Sequence, residues 1–143
     1  MDTFGLWSRQ LGEEIRLKND AYPVDPNYGF QGSAFWYLWP NITFNILPGA
    51  NELSVFTIQP LSPTTSDFTG HILSADGKYN EAMADYSANV LAPEDIDLCE
   101  SVQRGLMSNG YDQGPIIVDD EHAGIGEQAI HHFHRLVYQA LNG

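Results

Sequence analysis

The spacing of apolar residues changes period along this chain, and the change divides it into regions. Residues 1–34 are weakly patterned. Leu6, Gln10 and Leu11 followed by Glu14 and Ile15 predict a short amphipathic helix, which the segment YPVDPNYG ends with two prolines and a glycine. Alternation takes over next. FWYLWPNITFNILPG, residues 35–49, is aromatic and β-branched, with Ile42, Phe44 and Ile46 on one side. It predicts a strand in which Pro40 marks an edge or a bulge. PGANE reads as a turn. ELSVFTIQPL then sets Leu53, Val55 and Thr57 against Ser54, Phe56 and Ile58. A second turn, SPTTSD, leads to a third strand, FTGHILSA, and the three strands form an antiparallel meander.

Helical spacing follows the strands. Residues 77–91, GKYNEAMADYSANVL, form a connector that is helical in part. A helix opens at Pro93 and stops at Asn109-Gly110. A loop carrying Asp119, Asp120 and Glu121 leads to GEQAIHHFHRLVYQALNG, a final helix with Ile130, Phe133, Leu136, Val137, Ala140 and Leu141 as its apolar stripe. Strands first and helices after predict an α+β fold with the C-terminal helices packed on one face of the sheet. With 143 residues, the chain is expected to form a single domain, 1–143.

The helix from Pro93 poses a chemical question. At about 100° per residue, Asp95, Leu98, Cys99, Val102 and Leu106 share one apolar sector, while Glu94, Asp97, Glu100, Ser101 and Arg104 lie across from it. Asp95 is thus an acid directed at whatever the helix packs against. A buried carboxylate needs hydrogen bonds, a cation or a proton. Two roles are open: bonding the free N–H groups of a helix N-terminus, or a functional one, facing a cation such as a metal or acting as a general acid or base.

Charge narrows the partners. Acids outnumber Lys and Arg by 19 to 6, which argues against nucleic acid and anionic membranes, since both need a positive face. The one cysteine, Cys99, excludes an internal disulfide and any iron–sulfur cluster held by this chain alone. Its place on the apolar stripe reads as core. The N-terminus has no signal-peptide pattern and no run reaches membrane-spanning length, so a cytoplasmic protein is expected.

Five histidines are present. His131 and His132 fall off the stripe of the last helix, His134 sits at its margin, and no pair has the i, i+4 spacing of a helical metal site. This predicts a solvated face or a subunit contact. G-x-S-x-G and Gly-rich phosphate loops are absent. Trp36, Tyr37 and Trp39 are candidates to line a pocket.

Three segments together, YLWPNITFNILPG, PEDIDLCESVQRGLMSNGYDQG and GEQAIHHFHRLVYQAL, resemble the C-terminal part of the catalytic domain of Rieske non-heme iron oxygenase α subunits. These are the ring-hydroxylating dioxygenases, and the nearest branch acts on quaternary ammonium compounds such as choline, glycine betaine or carnitine. The resemblance runs from about Trp36 to Leu141 and implies part of a helix-grip, START-like fold. It also implies a mononuclear Fe(II) held by two histidines and one aspartate. The position matching that aspartate is Asp95.

Departures from the family are equally specific. The [2Fe–2S] cluster of the Rieske domain needs C-x-H and C-x-x-H pairs, which this chain does not carry, so the Rieske domain is expected to be absent. No two histidines stand five apart, as the iron-binding D-x-x-H-x-x-x-x-H stretch requires, and Gln128 stands where relatives often carry histidine. The expectation is an oxygenase segment that supplies Asp95 and part of the pocket for O2-dependent hydroxylation or demethylation. Its iron site would be completed by ligands not found in this chain, so it is not expected to be active alone. The implied partners are a small-molecule substrate, a second copy or a chain carrying the Rieske domain, and a flavin- or ferredoxin-type reductase. Two other readings stay open. One is a non-catalytic helix-grip domain that binds an apolar or quaternary-ammonium ligand or an intact oxygenase subunit. The other is an independent metal enzyme pairing Asp95 with His122 or His134.

Overall fold

A computed structural model describes residues 1–12, 24, 27, 30–117, 119 and 126–143. Six strands form one antiparallel sheet in chain order: β1 (Asp2–Phe4), β2 (Trp7–Gly12), β3 (Ser33–Leu38), β4 (Ile42–Ile46), β5 (Glu52–Ser62) and β6 (Thr65–Ser74). The meander and the α+β class are as the alternation predicts. The number of strands is not.

Two differences account for the extra strands. Leu6 and Leu11 do not belong to a helix. They lie in and beside a hairpin that turns at Gly5, whose φ of 45° suits a residue without Cβ. Its second strand pairs with β3 along its whole length, from Trp7↔Leu38 to Gly12↔Ser33. Cross-strand pairing has overridden a weak helical spacing. The region expected as one strand over 35–49 is itself a hairpin. It folds at the cis Trp39–Pro40 bond, so that Trp36 pairs with Phe44 and Leu38 with Ile42. The YPVDPNYG segment lies almost wholly outside the described residues.

The pleat sorts side chains to two faces. Trp36, Phe44 and Val55 line up across β3, β4 and β5 on one face, and Ser8, Tyr37, Thr43 and Phe56 on the other. Helix α3 (Gln128–Asn142) packs on β1 and β2, with its Phe133 ring edge-on to Tyr37 at 5.4 Å. It buries His132 and Leu136, leaving Ile130 and Leu141 exposed, so the face it uses is rotated from the expected stripe. His132 therefore belongs to a packed interface and not to a solvated face, whereas His131 and His134 are exposed.

The remaining helical segment forms one unbroken rod. Helix α1 (Glu81–Tyr86) begins at Asn80, whose side chain accepts from the Met83 N–H at 3.2 Å. It continues through a π-helical turn (Ser87–Leu91) into α2 (Ala92–Leu106). Pro93 thus lies inside a helix instead of opening one, and α2 ends before Asn109-Gly110. Met83, 2% exposed, packs with Ala50, Val24, Leu47 and Tyr86. Beyond that anchor, α2 buries no residue and packs on the π turn rather than on the sheet. Of the two C-terminal helices expected on the sheet, only α3 covers it.

Candidate functional site

The predicted metal-ligating residue, Asp95, sits in the first turn of α2 and is exposed. Its stripe is exposed as well: Leu98 is 63% accessible and Val102 53%. Cys99, expected in the core, is exposed too. The amphipathic pattern is real, but nothing in the described sheet lies against it.

The geometry changes the balance between the two roles of Asp95. Helix-terminus bonding presumes free N–H groups at the start of α2. Here that start is internal to the rod. The Ala92 N–H already bonds the Ser87 carbonyl, and the residue before α2, Leu91, is helical and makes no side-chain cap. Asp95 is therefore not at an open helix end, and among the described residues no hydrogen bond or ion pair engages its carboxylate.

A metal centre needs more than one donor. Among the described residues, no group of three or more His, Cys, Asp or Glu side chains lies close enough to hold an ion. His71 is exposed on β6, His134 is exposed on α3, and His122, Asp120 and Glu121 lie outside the described residues. Asp95 fits a metal site as a hard anionic oxygen donor, but the described residues do not assemble the other donors.

The second element of the site is an open apolar groove of 520 Å3 on the Trp36 face, lined by Trp7, Trp36, Leu38, Phe44, Ile46 and Leu53 and bordered by Tyr37. The expected aromatic trio is divided by the pleat. Trp36 faces the groove. Tyr37 and Trp39 turn toward Phe133 of α3, and the Tyr37 hydroxyl bonds the Pro40 carbonyl. Trp7 and Phe44 join Trp36 instead. The i↔j register that brings them there is long-range, so only Phe44, from its alternation with Ile42 and Ile46, had a local signal.

Glu52 and His132 are among the buried polar residues that the sequence pattern does not mark. Glu52, 7% exposed, begins β5. His132 accepts at Nδ1 from Arg135 Nη2 at 3.0 Å. Its burial, the neighbouring Arg135 and His131 charges, and to a lesser and opposite extent the Gly5 carbonyl leave its pKa below the usual 6.5. Neutral imidazole with Nδ1 as acceptor suits a guanidinium donor. Gln128, in the place where relatives often carry histidine, donates to the Asp119 carbonyl at 2.9 Å and fastens the preceding loop to α3.

The family described as "Ring hydroxylating alpha subunit (catalytic domain)" matches residues 6–143. This chain belongs to that family. The carnitine monooxygenase oxygenase subunit of Acinetobacter baumannii is 37% identical over 144 residues, covering 93% of this chain and 37% of that protein. The Escherichia coli K12 counterpart is 32% identical over 150 residues, covering 96% and 37%. The chloroplastic choline monooxygenase of Amaranthus tricolor is 28% identical, covering 97% and 31%. Among solved structures, the quaternary ammonium Rieske monooxygenase CntA with an inhibitor superposes with a TM-score of 0.76 at 30% identity, covering 96% of this chain and 37% of that one. CntA with L-carnitine gives 0.66 at 36% identity over 77% and 32%. The chain thus spans about a third of the length of these relatives and corresponds to catalytic-domain sequence of a Rieske oxygenase α subunit. No helix among the described residues is long and apolar enough to cross a membrane.

Proposed function

We propose that this chain supplies the aspartate ligand, Asp95, and one aromatic wall of the substrate pocket in a Rieske oxygenase that hydroxylates or demethylates a quaternary ammonium compound. The observation that carries this reading is the state of Asp95. It is an acid aligned with an apolar stripe, inside a continuous helix where no open N-terminus gives it a capping task. The family supplies the metal that such a carboxylate suits. Fe(II), when bound, contributes O2 activation, with electrons delivered from a reductase through the Rieske [2Fe–2S] cluster of the assembled enzyme.

The chain's own residues have two tasks. Asp95 would offer an anionic oxygen to the metal and so lower the net charge of the site. Trp7, Trp36 and Phe44 offer π faces to a trimethylammonium group, whose diffuse charge is held by ring quadrupoles and not by a carboxylate. Two relatives, the carnitine and choline monooxygenases, bear names of quaternary ammonium substrates, and this supports the choice of branch. Partners follow from the same reading. The other iron donors and the electron path come from further sequence, from a second copy or from another chain, and inter-subunit electron transfer is described for CntA.

The test is an anaerobic Fe(II) loading of the assembled oxygenase beside its Asp95→Ala variant, with mononuclear iron counted separately from cluster iron. The variant is expected to keep less than about a tenth of the mononuclear iron, as a lost anionic ligand costs several kcal/mol of affinity. Full occupancy in the variant removes Asp95 from the site.

A further inference from the structure

The π turn at Ser87–Leu91 has a cause in the sequence and a consequence for direction. Pro93 has no N–H, and its ring clashes with the carbonyl four residues back, that of Asn89, in a regular α-helix. The rod meets this by widening: the Ala92 N–H reaches the Ser87 carbonyl five residues away. Such a turn accommodates one more residue than an α-helix does, so everything after it is set as though one position earlier in the chain.

Counting from the anchor shows what that does. Asp95 is twelve residues beyond Met83. In an unbroken α-helix twelve steps of about 100° place it roughly 120° around the rod from Met83. With one residue absorbed by the π turn, eleven effective steps place it at about 20°. On the same count Leu98, Val102 and Leu106 fall at about −40°, 0° and 40°. The stripe of α2 therefore continues the side of the rod on which Met83 grips Ala50 and Leu47 at the end of the sheet. Without the π turn, the stripe and its acid would point about a quarter-turn away.

We infer that the π turn Ser87–Leu91 is the positioning element of Asp95, turning α2 so that the acid and its apolar stripe lie in register with the Met83 anchor. The inference deepens the proposed role of Asp95 as a ligand and rests on it for its functional half. The register itself stands on the helix geometry. Ser87–Leu91 are positioning residues, since none of them has to touch substrate or metal.

Three variants test it, read in two ways. An alanine inserted after Ala88 adds a step and rotates α2. The same insertion with Glu94→Asp puts an aspartate where Asp95 used to be, because residue 94 then stands twelve residues from Met83. Deletion of Ala88 combined with Pro93→Ala removes both the surplus residue and the ring that forces the turn, so the rod relaxes to α-helix and Asp95 stays in place. In the assembled oxygenase, mononuclear iron is expected to be lost on insertion, recovered with the added Glu94→Asp and kept on deletion. In this chain, nitroxides on Cys99, the sole cysteine, and on Thr69→Cys, exposed on β6, report the register without any metal. Their distance distribution is expected to move on insertion and to stay put on deletion. A distance that moves equally in both, or in neither, overturns the register. An unmoved iron count in Asp95→Ala, with the distances behaving as expected, overturns the ligand role alone.

Discussion

The sheet and the helical rod solve their packing in opposite ways. One face of the sheet is covered where α3 lies on it: Phe133 is edge-on to Tyr37, and His132 and Leu136 are buried, while the Trp36 face and β6 stay open. The rod is held at one end by Met83 and leaves its whole apolar stripe open. Helices α3 and α2 are both amphipathic in sequence, yet α3 has found its partner within the described residues and α2 has not. Amphipathicity states that a face will be buried, and says nothing about what buries it. For a chain that spans about a third of its relatives' length, that distinction is where function enters, because the unsatisfied face carries the candidate ligand.

The comparison can be broken most severely at the anchor. Met83→Ala removes the side chain that joins rod to sheet, and a loss of about 2–4 kcal/mol in chemical denaturation is expected for a buried Met truncated to Ala. Hydrogen exchange in α1 and α2 should rise while β2–β4 keep their protection. Uniform loss across both regions contradicts two separately held parts. The groove comes next. Trp36→Ala in the assembled enzyme should weaken binding of a quaternary ammonium substrate by about three- to thirty-fold, the range of one cation–π contact, measured by titration calorimetry. The neutral isostere, with carbon in place of nitrogen, should lose far less.

Smaller effects sharpen the side that α3 covers. A double-mutant cycle of Tyr37→Leu with Phe133→Leu should return a coupling of about 0.5–1.5 kcal/mol, as for other edge-on rings. A coupling near zero means that α3 rests on Leu136 and His132 alone. The smallest effect is set by pH. His132 is neutral when packed, with its pKa held below 6.5 first by burial and then by Arg135. The unfolded chain therefore takes up a proton more readily. The stability this packing contributes is full above about pH 6.5 and is lost as pH falls from there through the lowered folded value. His132→Gln should flatten that part of a melting-temperature profile, and an unchanged profile excludes His132 as its source.

Legibility in the sequence followed the range of the interactions. Alternation within Ile42, Phe44 and Ile46 predicts β4 and its face because strand alternation is local. Leu6 and Leu11 mislead because their fate depends on β3, more than twenty residues away. The aromatic trio Trp36, Tyr37 and Trp39 reads as one feature in the chain, but the pleat and the turn at Pro40 send Trp36 to the groove and its companions to α3. The helical wheel aligns Asp95 with Leu98, Val102 and Leu106, since phase within α2 needs no tertiary information, but the burial expected of that stripe is not met among the described residues. The start of that helix misleads, because Pro93 is a common first residue of a helix and equally the reason for a π turn inside one.

By itself, then, the sequence determined the α+β class, the antiparallel meander, the final helix and the alignment of Asp95 with an apolar stripe. All of these arise from periodicities a few residues long. Only the tertiary structure decided that the N-terminal segment is a hairpin, that α3 turns His132 inward, and that α2 continues the Met83 side of an unbroken rod. Those outcomes depend on strand partners, on interface shape and on one extra residue in a helical turn. Each joins positions that local spacing treats as independent.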